Sequence, residues 1–90
     1  EMMKMKQSES LFLGLIYSLQ AQAMSLMGKA KSSSVIGAND NFELAKINIE
    51  VIEELVKKTE GNLTEEEEKI LNGVIKDLRI EYSQNRVMYN

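Results

Sequence analysis

Apolar residues recur at three- and four-residue intervals along almost the whole chain, interrupted twice, and this pattern predicts three helices. The first is expected over about residues 9–27, opened by Ser8 or Ser10 and closed by Gly28. The second spans about 41–59, with Asp40 and Glu43 spaced as a capping box at its start. The third spans about 65–82. Between the first two lies a stretch with three consecutive Ser residues and Gly37, which predicts a surface loop over 29–39. Residues 1–7 and 84–90 are expected to be flexible ends, and 8–83 a single three-helix domain.

The break between the second and third helices carries the clearest local chemistry. Lys57 and Lys58 oppose the negative end of a helix dipole, and Gly61 can take the left-handed conformation that ends the helix. Asn62 and Leu63 form the corner, and Thr64 with Glu67 makes a second capping box. The two helices are therefore expected to fold back as an antiparallel hairpin on which the first helix packs.

The faces are unequal. In the second helix Leu44, Ala45, Ile47, Ile49, Val51, Ile52, Leu55 and Val56 make one broad apolar side. The third uses Ile70, Leu71, Val74, Ile75, Leu78 and Tyr82. The first has a core face of Leu11, Phe12, Leu15, Ile16, Leu19, Ala23, Leu26 and Met27, an apolar flank of Leu13, Tyr17 and Met24, and a column of small residues at Gly14, Ser18, Ala21 and Ser25. A helix apolar or small nearly all round is normally covered on more than one side. Two partner helices from one chain do not surround it, so the small-residue column predicts self-association as a homodimer.

Composition narrows the chemistry. The chain has 90 residues, 43% of them hydrophobic, near the size at which one core is only marginally sufficient. It has no Cys or His, so thiolate and imidazole catalysis, disulfides and the common metal sites fall away. The formal charge of −3 argues against a phosphate-binding surface. No cofactor, metal site, nucleic-acid contact or enzymatic activity is expected, and a reduced cytoplasmic setting fits. Lys4 and Lys6 precede an apolar run ending in Ala21-Gln22-Ala23, a form reminiscent of a signal-peptidase site. Glu9 interrupts that form, and the apolar spacing continues through Met24, Leu26 and Met27, which reads as a core helix. Ser18, Gln20, Gln22 and Ser25 interrupt any membrane span.

A few polar positions stand out. Glu65 to Glu68 lack the alternating ligands of a calcium loop and read as dipole complementation. Asn48 falls within the apolar arc of the second helix, where a buried amide fixes register or oligomeric state. Asp77 and Arg79 point in different directions, and Arg79 is a candidate contact to a carboxylate on a neighbouring helix or partner.

Ser18-Leu19, Ala23, Met27-Gly28, Asn41, Leu44-Ala45, Lys58-Thr59-Glu60-Gly61-Asn62-Leu63-Thr64, Asp77-Leu78-Arg79 and Tyr82 resemble the short bacterial proteins of the domain of unknown function 1844 family. The resemblance runs from about Phe12 to Tyr82 and departs at the Ser-rich linker, where the family usually carries Pro, and at Glu50, where it usually carries Asp. It implies an all-helical bacterial protein and no particular activity. The expected role is a non-enzymatic protein-interaction or oligomerisation module. The alternative is a helical protein that binds a small apolar ligand or lipid between methionines such as Met24 and Met27.

Overall fold

A computed structural model describes the backbone of residues 2–32 and 35–89, and the side chains of residues 9–30 and 40–84. It contains three helices, α1 (Met2–Ser32), α2 (Val35–Lys58) and α3 (Glu65–Tyr89), each packed on the other two. At 1.5 Å per residue, α1 and α2 end to end would exceed about 80 Å. The longest dimension is 52 Å, so the chain must reverse between them.

The connection between α1 and α2 differs from the loop expected over 29–39. Lys29–Ser32 continue α1 and Val35–Asn39 already belong to α2, while Ser33 and Ser34 lie outside the described residues. Gly28 does not end α1, and the only positive-φ glycine among the described residues is Gly61. The reason is tertiary. Carrying α1 past Gly28 places Ala30 in the core with no exposure, next to Met27, and a helical glycine costs only about 1 kcal/mol. Opening α2 before Asp40 similarly lets Phe42 be fully buried. Asp40 therefore sits inside α2 with its side chain exposed, so it does not cap the helix with Glu43. Ser8 and Ser10 likewise fall within α1 and do not open it, and helical backbone extends through most of both expected flexible ends.

The core is built from Ile16, Ala23, Met27 and Ala30 of α1, Phe42, Ala45, Ile49 and Ile52 of α2, and Leu71, Val74 and Leu78 of α3. Phe42 meets Tyr82 edge-to-face, with ring centroids 6.0 Å apart and planes at 89°. By length and composition, Glu9–Ala30 is also apolar enough to cross a membrane, with mean hydropathy 1.3, and its interrupting polar residues do not prevent this. In this fold only 17% of that stretch is buried. Several residues expected in the core lie outside it. Leu11 is 73% exposed, and Leu15, Leu44, Ile47 and Val51 are between 41% and 52% exposed.

Candidate functional site

Those displaced residues share one side of the molecule. Glu53 marks the side of α2 that faces α3, because its carboxylate accepts two hydrogen bonds from Arg79. At 100° per residue, Leu44, Ile47 and Val51 point about 120–180° away from Glu53. Glu9 marks the α3 side of α1, because it accepts a hydrogen bond from the Thr64 hydroxyl at 2.7 Å. Leu11 and Leu15 point about 120–160° away from Glu9. The α1–α2 pair thus presents Leu11, Leu15, Leu44, Ile47 and Val51 on the face opposite α3, while exposed Tyr17 and Met24 lie on the other flank of α1. Scattered surface leucines are ordinary, whereas a contiguous set is the mark of a contact surface.

The small residues are placed beside this face. Gly14, Ser18, Ala21 and Ser25 are all exposed, and a Cβ built on Gly14 would meet nothing within 4 Å. Asn48 lies between Leu44 and Val51 in the chain and is half-buried, and its Nδ2 is shielded from solvent without a hydrogen-bond partner. An amide donor in that state costs about 1–3 kcal/mol.

The α2–α3 corner is held by side chains on both sides. The Thr59 hydroxyl donates to the Leu55 carbonyl at 2.6 Å, and Gly61 adopts φ +87°. Exposed Asn62 donates its backbone N–H to the Thr59 carbonyl at 2.9 Å. The Thr64 N–H donates to Glu67 Oε1 at 2.9 Å, and the Glu67 N–H donates back to Thr64 Oγ1 at 3.1 Å. Glu67, at 6% exposed, is the buried acid of this arrangement. The bond from the Thr64 hydroxyl to Glu9 ties the N-terminal half of α1 to the start of α3, a contact that no local spacing announces.

Arg79 finds its carboxylate within the same chain. Its Nε and Nη2 donate to the two oxygens of Glu53 at 3.1 and 2.7 Å, a bidentate pair joining α3 to α2. That hydrogen bonding raises the Arg79 pKa above its ordinary value, opposed by partial burial. Arg79 thereby meets a carboxylate of its own chain while its side chain stays 42% exposed, and Asp77 is exposed on α3 apart from it. Glu53, which reads as a solubilising charge from its spacing, is the residue that pattern analysis missed.

Two surface grooves open between α2 and α3. One of about 400 Å³ is lined by Glu53, Val56, Lys57 and Ile75, and one of about 200 Å³ reaches Gly61, Leu63 and Asn72. Neither is lined by Met24 or Met27. Met27 is buried in the core and Met24 is 44% exposed on the surface. Among the described residues, no group of three acidic, His or Cys side chains is placed to hold a metal ion.

The family model described as Domain of unknown function (DUF1844) matches residues 9–84, and the chain belongs to that family. No curated protein and no solved structure matches the chain.

Proposed function

We propose that this DUF1844 chain is a non-enzymatic protein-interaction module of the bacterial cytoplasm that works by associating with itself. The observation that carries the reading is the apolar face of Leu11, Leu15, Leu44, Ile47 and Val51. Five large apolar side chains are exposed on one side of two packed helices, and α3 already occupies the opposite side of the α1–α2 pair.

Protein is a better cover for this face than lipid. A bilayer could take the apolar stretch of α1, but α1 would have to leave the bundle to span it, stripping Phe42, Ile49 and Ile52 of their cover. The exposed residues come from two helices together, which suits a rigid docking surface. Sedimentation equilibrium between about 1 and 100 µM tests the reading. Reversible association is expected, and a strictly monomeric chain across that range contradicts it.

A further inference from the structure

We infer that the occupant of this face is a second copy of the chain, docked through α2 in antiparallel fashion about a two-fold axis next to Asn48. This deepens the self-association reading and rests on it. Three observations lead there.

The first is area. A folded monomer of 10.2 kDa is expected to expose about 5,300 Å². This chain exposes 6269 Å². The excess, about 950 Å², is that of a chain drawn out to 52 Å, and it leaves ample surface for the roughly 800 Å² that each partner contributes to a standard interface.

The second is the pattern on α2. Asp40, Leu44, Ile47, Val51 and Lys58 lie within a strip about 60° wide, with exposed apolar residues in the middle and opposite charges at the two ends. Asp40, Leu44, Ile47 and Val51 follow at intervals of four, three and four, the spacing of a helix-pairing seam, and Lys58 stands seven residues further on. Antiparallel pairing centred between Ile47 and Asn48 sets Leu44 opposite the partner's Val51, and Val51 opposite the partner's Leu44. The same register brings Asp40 to within about one helical turn of the partner's Lys58 at each end. A parallel pairing would instead bring Asp40 to Asp40 and Lys58 to Lys58. Lys58 is free to turn, since its contact with Glu54 is 3.9 Å long and its side chain is 73% exposed.

The third is Asn48, which borders the strip beside the axis. Its amide is donor and acceptor at once, so two copies across a two-fold axis satisfy each other. In the single chain its Nδ2 is shielded without a partner, and pairing across the axis requires the side chain to rotate outward. Leu11 and Leu15 of α1 then wrap the edge of the contact, and the small-residue column lies outside it.

Substitution on α2 separates this interface from any other. Val51 is 41% exposed, so Val51→Glu leaves the bundle intact, as a helical circular dichroism spectrum would verify. It sets a carboxylate against the partner's Leu44 on each side of the axis and is expected to raise the dimer dissociation constant at least about 100-fold in sedimentation equilibrium. Asp40→Lys should weaken the dimer, and adding Lys58→Asp should restore it. Ala21→Glu on the small-residue column should leave it intact. If the parent chain is monomeric, the self-association reading itself fails. If the parent dimerises but resists Val51→Glu and is broken by Ala21→Glu, self-association stands and the α2-centred interface is overturned. Failure of the double charge exchange to restore assembly would overturn the antiparallel register.

Discussion

Replacing Phe42 by Ala tests the part of the fold where the structure departs most from the sequence pattern. Phe42 is fully buried, and its ring meets Tyr82 at 6.0 Å. Removing a buried aromatic ring costs about 3–5 kcal/mol, as lost transfer energy plus the cavity left behind. Of that, about 0.5–1.5 kcal/mol belongs to the edge-to-face contact. A domain of this length has a total stability of roughly 5–13 kcal/mol, so the variant should lose a large part of it. With a urea dependence of about 1 kcal/mol per molar, the midpoint should fall by about 3–5 M. The assay is urea unfolding followed by circular dichroism at one fixed protein concentration, because self-association couples stability to concentration. A double-mutant cycle with Tyr82→Leu should return a coupling of about 0.5–1.5 kcal/mol. If Phe42→Ala costs less than about 1 kcal/mol, Phe42 is a surface residue in the first turn of a helix opening at Asp40, and the reasoning that extends α2 back to Val35 is wrong. A coupling near zero would show that the rings do not touch.

Other substitutions probe the remaining supports. Thr64→Ala removes the acceptor of the Glu67 N–H and the donor to Glu9, while the backbone bond to Glu67 Oε1 remains, so it should cost about 1–2 kcal/mol in the same unfolding assay. Gly61→Val should cost more than about 1 kcal/mol through its positive φ alone, since nothing within 4 Å obstructs a side chain there, and Gly61→Asn should be milder. Arg79→Met should cost no more than about 1 kcal/mol, because both partners are partly solvated, and the loss should shrink in high salt. The raised Arg79 pKa means that the arginine's contribution to this pair is present throughout the neutral range and is lost as the pH rises into strong alkali.

What could be read in the sequence was what local chemistry encodes. The α2–α3 corner needs a left-handed glycine and a reciprocal Thr–Glu pair three residues apart, and both are visible as residue types at fixed spacing. The α1–α2 connection was not legible for the opposite reason. Gly28, the Ser triplet and Gly37 are punctuation by propensity, yet burial of Met27, Ala30 and Phe42 outweighs that propensity and keeps the helices running almost to contact. Periodicity also could not choose the buried side of α2, because apolar residues cover more of its circumference than two neighbours can hide. The positions of α1 and α3 make that choice and leave Leu44, Ile47 and Val51 outside. The pairs Glu9–Thr64 and Glu53–Arg79 join residues 55 and 26 positions apart, beyond the reach of any local motif. The polar seam is therefore a product of the fold. The small-residue column was visible as spacing, and the structure sets it on an exposed face beside the larger apolar one.

The central claim is that two copies meet across α2, and isotope-filtered nuclear Overhauser spectroscopy on an equal mixture of labelled and unlabelled chains addresses it atom by atom. At a concentration where the chain is dimeric, intermolecular cross-peaks are predicted between the Leu44 methyls of one copy and the Val51 methyls of the other, with further peaks from Ile47 close to the axis. Cross-peaks confined to Tyr17, Met24 and Ala21, with none from Leu44 or Val51, would contradict it.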